Sequence, residues 1–371
     1  LDHPSLNFYS FISARYEVHR EKYKGVDVEV YYDDRHPYNV DKMANSIKKS
    51  LEYYTKNFGP YYHKQARIIE FPRYATFAQA FPGTMPYSEG IGFIAKIEDE
   101  EDIDMVFYVV AHEMAHQYWA HQVIGAAMQG ATLLSETFAQ YSALMVMEKE
   151  YGRDQMKRFL KYEMNRYLRS RGTEQLKEQP LMYVENQGYI HYRKGSLVMY
   201  YLKEMIGADS VNAALRTLIA DYGYKDPPYP TSHAAVDAFS EHTPDSLQYI
   251  ITDLFREITL FNNRTMEVTS KELADGSYEV TLDYESHKYR ADSLGKETEI
   301  DVNDWVEFGV YADPGDKDRL GKKLYSGLHH VKDTEGSIKV VVDEKPYQAG
   351  IDPRNLLVDL VGDDNVKKVA D

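Results

Sequence analysis

The sequence predicts an α+β fold in two parts: a mainly helical segment with a small N-terminal mixed sheet, then a C-terminal β-sandwich. Three observations support this. The first hundred residues combine strand-like alternation with one long helical stretch. Residues from about 103 to 259 keep helical periodicity, and beyond Asn262 short alternating runs separated by turn signals take over. At 371 residues the chain is also longer than one hydrophobic core usually organises. A boundary is therefore expected near 262, dividing the chain into 1–262 and 263–371.

In chain order, Val26-Asp27-Val28-Glu29-Val30 alternates like a half-buried strand, and 41–57 reads as a helix with Asp41 near its start. A second short strand is expected over 66–71. Residues 72–100 hold Pro and Gly at several positions and read as a long loop. Helices are expected over 103–121, 133–151, 154–171, 189–206, 210–222, 232–240 and 245–258. Strands are expected at Glu267-Val268-Thr269, Tyr278 to Leu282, Val306 to Val310 and Ile338 to Val342. Asp275-Gly276 and Asp313-Pro314-Gly315 mark turns between some of them. No internal repeat or low-complexity tract is visible.

Composition narrows the function classes. The chain is 43% hydrophobic and 27% charged, ordinary for a folded soluble protein. Its apolar runs fall far short of the roughly 20 residues that cross a bilayer. No signal-peptide pattern opens it, and it begins with Leu1, so a piece of a longer polypeptide or a processed form is expected. Having no cysteine, it has no disulfide, thiolate metal site or cysteine nucleophile. The net charge of −16 argues against a nucleic-acid partner, which needs clustered Lys and Arg. That charge mildly favours cationic ligands such as a peptide's free amine, although a solvated acidic surface explains it as well. With 33 tyrosines, any one Tyr is a packing residue unless a motif marks it.

One motif carries chemistry. His112-Glu113-Met114-Ala115-His116 follows the apolar run Val106 to Ala111. Two His four positions apart on a helix project from one face, close enough to bind one ion. Glu113 between them can face the remaining coordination position, where it would take a proton from a water attacking a carbonyl. Because the flanks are apolar, the His side chains are expected to be buried, where they need partners that a metal supplies.

Candidates for a third ligand sort by position. A metzincin arrangement fails, since Trp119 and Gln122 stand where it needs Gly and His. His121 lies on the wrong side of the helix. Glu136, within the apolar stretch Leu133 to Tyr141, can be delivered by a second helix folding back across the Gly- and Ala-rich loop 123–130. Two His and one Glu with an open fourth position is the layout of catalytic zinc. Glu148 and Glu150 lie among charged residues and read as solvated.

These residues resemble the aminopeptidase N family of gluzincin zinc metallopeptidases, which includes leukotriene A hydrolase. Ser135-Glu136 looks like the family's Asn-Glu pair, with a gap one residue longer than usual that matches thermolysin-type spacing, read as a one-residue loop insertion. Met85-Pro86-Tyr87-Ser88-Glu89-Gly90-Ile91-Gly92-Phe93-Ile94 is similar to the family's Gly-x-Met-Glu-Asn segment, whose Glu grips the substrate's α-ammonium. Glu89 falls on that Glu, while Pro86, Ser88 and Gly90 replace the Gly, Met and Asn. Tyr192-Arg193-Lys194-Gly195 is similar to the family's Tyr-x-Lys-Gly, whose Tyr hydroxyl donates to the oxyanion; Tyr189 is its nearby rival.

The resemblance covers residues 25 to 260 or so and implies a thermolysin-like catalytic portion without the family's N-terminal β-domain. It implies one Zn²⁺ held by His112, His116 and Glu136. Glu113 is then the general base, Tyr192 the oxyanion donor and Glu89 the substrate anchor. The implied activity is removal of N-terminal residues from peptides. The alternatives are a zinc endopeptidase and a non-catalytic peptide-binding module. The flanks look most like the peptidase module that bacterial proteins carry beside transport-permease helices. The chain is thus expected to be a soluble fragment, covalently tethered to membrane-spanning segments of a protein in the bacterial cell membrane.

Overall fold

The computed structural model describes residues 3–7, 10–97, 102–315 and 319–370. It divides into two compact units, Leu1–Phe159 with Gln179–Arg256, and Leu160–Glu178 with Glu257–Asp371. The fold is α+β, with a mixed N-terminal sheet, eight α-helices among the described residues and antiparallel C-terminal sheets.

In the first unit, β1 (Glu17–Tyr23) and β2 (Val26–Tyr32) form an antiparallel hairpin. Its two-residue turn puts Lys24 at φ 48° and Gly25 at φ 87°, the left-handed pair that suits the twist of a tight hairpin. The chain then crosses through α1 (Val40–Asn57) to β3 (Gln65–Phe71), parallel to β2, as a parallel pair requires. Val28, Val30, Ala66 and Ile68 are fully buried, and α1 packs on β2 with Met43, Ala44 and Ile47 on its buried face.

The expected loop 72–100 contains a strand. β4 (Thr84–Ser88) pairs parallel with β3 as the edge of the sheet, in the order β1-β2-β3-β4. Pro86 disguises it in the sequence, yet a proline is tolerated on an edge strand, where its missing N–H breaks no ladder bond. Residues 98–100 of that expected loop lie outside the described residues.

α2 (Met105–Ala115) is capped by Asp104, whose side chain accepts from Phe107 N at 2.9 Å. The helix is buried almost all round, so its backbone is tied to α1 from the side: Ser46 Oγ donates to Phe107 O at 2.7 Å and Tyr54 OH to Ala111 O at 2.8 Å. The helix expected to run to 121 ends at His116. There the chain folds into tight turns, with Ala120 at φ 131° and Val123 N bonding back to Tyr118 O. Tyr118 and Trp119 are buried in those turns, so an apolar pattern continued past the helix.

The remaining helices are α3 (Phe138–Tyr151), α4 (Met156–Arg171), α5 (Gly195–Ile206), α6 (Ala208–Tyr222), α7 (Ser232–Glu241) and the single turn α8 (Gln248–Ile251). α3 and α5 are each preceded by a π-helical segment, Leu133–Thr137 and Tyr189–Lys194. Glu148 and Glu150 are not freely solvated as expected. Glu148 accepts from Tyr200 OH at 2.6 Å and pairs with Lys203, and Glu150 pairs with Lys49 at 2.8 Å. Among the described residues no helix is long and apolar enough to cross a membrane.

In the second unit β5 (Ile258–Glu272) begins at Ile258, the last residue of the helix expected over 245–258 and ahead of the boundary expected near 262. β6 (Tyr278–Ala291), β7 (Glu297–Ile300) and β10 (Glu335–Val342) join it in one antiparallel sheet. β8 (Asp304–Tyr311), β9 (Lys323–Val331), β11 (Gln348–Ile351) and β12 (Val366–Lys368) form a second. Val268, Val280 and Leu282 from one sheet and Val306, Phe308 and Val310 from the other are buried. The Asp275-Gly276 turn forms as expected, with Gly276 at φ 84° and Asp275 Oδ1 accepting from Ser277 N.

Candidate metal centre

His112 and Glu113 lie in the last turn of α2 and His116 is its C-cap; all three are buried. Glu136 comes from the π-helical segment Leu133–Thr137. The approach to that segment is shaped by Gly130, at φ 81°, where a Cβ would sit 2.3 Å from both Met182 O and Ser232 Oγ. The chain can pass there only without a side chain.

Three donor atoms converge. His112 Nε2 lies 3.1 Å from His116 Nε2, and Glu136 Oε2 lies 3.3 Å from each. This triangle has room for a cation about 2.0–2.1 Å from every corner, the usual zinc–ligand distance. His116 Nδ1 contacts Trp119 O at 2.9 Å, which fixes that nitrogen as the protonated one and leaves the Nε2 lone pair facing the centre. Trp119 is in turn held by its indole, which donates to Ser142 Oγ at 2.9 Å. Two imidazole nitrogens and a carboxylate, with His116 held from behind by Trp119 O, suit zinc by donor type as well as by size.

The charges are coupled. Burial works to raise the Glu136 pKa, but His116 and His112 hold it well below the usual carboxylate range. Burial likewise lowers His116, and Glu136 overrides it, pushing the imidazole up to about 9. Glu113, on the same helix, is raised by burial and further by Glu136, against the opposing pull of the two His. A carboxyl raised in this way holds a proton more tightly than a solvated one.

Tyr192 stands over this group from the second π-helical segment, its ring 6.0 Å from that of His112. Burial and the neighbouring Glu136 charge raise its pKa, so the phenol is a neutral donor throughout the physiological range. Its backbone carbonyl accepts from Ser196 Oγ at 2.8 Å and Gln140 Nε2 at 3.3 Å. The rival Tyr189 is buried one turn earlier in the same segment.

Glu89 follows β4 and belongs to a second group, with His36 and Glu70. His36 Nδ1 lies 2.6 Å from Glu70 Oε1 and 3.7 Å from Glu89 Oε2, and Arg73 N donates to Glu89 Oε1 at 3.1 Å. Sequence reasoning missed these partners, since nothing in the spacing of 36, 70 and 89 links them. His121 Nε2 contacts Ala80 O at 2.9 Å, and burial lowers its pKa to about 4.

Comparison with known proteins places the chain. The peptidase family M1 domain matches residues 42–251, more than half of the chain, and that stretch contains all six expected site residues. Human endoplasmic reticulum aminopeptidase 2 is 24% identical over 213 residues, 54% of this chain and 22% of the relative. The chain thus spans about a fifth of that protein. A solved structure of Legionella pneumophila aminopeptidase A in complex with aspartic acid is similar over 93% of this chain and 38% of its own, with a TM-score of 0.56 and 15% identity; this likeness bears on the fold. Since that family match covers more than half of its residues, the chain belongs to peptidase family M1.

Proposed function

We propose that this chain is the catalytic module of a zinc-dependent aminopeptidase that hydrolyses the first peptide bond of substrates with a free N-terminus. The observation that carries this reading is the convergence of His112 Nε2, His116 Nε2 and Glu136 Oε2 beside buried Glu113 and half-buried Tyr192. When bound, zinc supplies Lewis acidity that polarises the scissile carbonyl and acidifies a water.

The chain's own residues do the rest. Glu113 takes the proton of the attacking water at its carboxylate and delivers it to the leaving amine. The Tyr192 hydroxyl donates to the carbonyl oxygen as it gains negative charge, an interaction stronger in the transition state than in the ground state. Glu89 holds the substrate's ammonium by charge.

A second reading, an endopeptidase, draws on one observation: Glu89 Oε1 already accepts from Arg73 N at 3.1 Å, and the His36 ring lies 3.7 Å from Oε2. Zinc content measured alongside a panel of aminoacyl fluorogenic amides tests the first reading. Equal cleavage of a peptide and its N-acetylated form would favour the second.

A further inference from the structure

A buried side chain links the Glu136 and Tyr192 segments. Thr137, directly after Glu136, is fully buried, and its Oγ1 donates to the carbonyl of His191, directly before Tyr192, at 2.7 Å. The same side chain lies against the bare backbone of Gly195. A Cβ there would stand 2.6 Å from Thr137 Oγ1, 2.8 Å from its Cγ2 and 3.2 Å from its Cβ. Hydroxyl and methyl are therefore both confined, one by a hydrogen bond and the other by close packing. The His191 ring in turn meets the Tyr192 ring edge-on, with centroids 4.4 Å apart, so the His191 backbone sets the wall against which the phenol rests.

We propose that Thr137 is a positioning residue: its bond to His191 O, seated on Gly195, sets where the Tyr192 hydroxyl stands relative to Glu136. This rests on the oxyanion role proposed for Tyr192. The two segments are π-helical, a form of helix with one extra residue in the turn that recurs at functional sites, and neither is held in this register by ordinary helical spacing. A misplacement of about 1 Å costs on the order of 100-fold in rate.

The test uses Thr137→Val, which keeps the shape and removes the donor, with Thr137→Ser, which restores it. The expected result for Val is a fall in kcat of about 10-fold or more on an aminoacyl amide. KM, zinc content and zinc affinity by chelator competition stay at the wild-type values, and Ser recovers most of kcat. Affinity for a phosphinic dipeptide analogue, read by calorimetry without turnover, falls with kcat. In a Tyr192→Phe background Val brings no further loss. Gly195→Ala, which pushes Thr137 away, reproduces the Val pattern.

If Tyr192→Phe is impaired while Thr137→Val turns over normally, the clamp is overturned and the role of Tyr192 stands. If Tyr192→Phe itself turns over normally, the role on which the clamp rests is overturned. Loss of zinc in Thr137→Val, or failure of Ser to recover the rate, also overturns the proposal, because Thr137 then serves the metal or the fold.

Discussion

His112 Nε2 and His116 Nε2 face each other 3.1 Å apart with Glu136 Oε2 equidistant from both. Since His116 Nδ1 is committed to Trp119 O, its Nε2 has a lone pair to offer, and such a buried cluster of acceptors needs a cation or protons between them. Zinc binding should therefore stabilise the fold. At 100 times its dissociation constant a ligand adds about 2.7 kcal/mol. Chelation should lower the melting temperature of the wild type, and the same treatment should leave Glu136→Ala unmoved. A wild-type melting curve indifferent to chelator would remove the metal centre.

If Glu113 moves protons, as proposed, rather than binding the ion, Glu113→Gln separates the two tasks. The amide keeps the shape of the side chain and cannot accept the proton. Turnover should fall by about 10²–10⁴-fold. Zinc per chain, measured by elemental analysis, should stay at the wild-type level; its loss would make Glu113 a ligand.

Tyr192→Phe deletes one hydroxyl from a ring that packs against His112 and His191. Removing a single oxyanion donor costs roughly 3–4 kcal/mol of barrier, which corresponds to a fall in kcat of about 10²–10³. KM for the amide should change little, since the donor acts mainly as charge develops. Wild-type kcat would assign the phenol to packing.

Much of the site was legible because the motif and its burial speak together: His-Glu-x-x-His behind Val106 to Ala111 reads as a buried polar face on a helix. Glu136 was legible from the apolar residues around it. The two π-helical segments were not, because one extra residue per turn leaves the apolar count of Leu133–Thr137 and Tyr189–Lys194 unchanged. The Thr137–His191 link depends on that register and was invisible for the same reason. β4 was hidden by Pro86, and β5 begins at Ile258, where the helix expected over 245–258 ends. The partners of Glu89 are tertiary contacts that local patterning does not encode.

Those partners give a prediction of their own. If Glu89 receives the substrate's ammonium, Glu89→Gln should raise KM for an aminoacyl amide and leave an N-acetylated peptide unaffected. His36→Ala removes the imidazole that lies 3.7 Å from Glu89 Oε2 and should lower that KM by freeing the carboxylate. Unchanged KM in both variants, with N-acetylated peptide cleaved as fast as the free one, would transfer the chain to the endopeptidase reading.

Stability should show a pH dependence from Asp359 in the second unit. This side chain is fully buried, and burial pushes its carboxyl up to about 6 against three donors, Val361 N, Asn365 Nδ2 and Asn263 N. Asp364 faces it and adds in the same direction. The folded-state pKa lies above the unfolded one, the reverse of the usual carboxylate, so the folded state binds the proton more tightly. Above pH 6 the cost of the buried charge is fully present. As pH falls from about 6 towards the ordinary Asp value near 4 the cost is relieved, and this one group should add on the order of 3 kcal/mol. Other carboxylates held low by ion pairs act oppositely at lower pH, so the comparison must be made against Asp359→Asn. Denaturant unfolding of the second unit's transition at pH 4.5 and 7.5 should show a smaller pH difference in the variant than in the wild type, and parallel curves would assign Asp359 an ordinary titration.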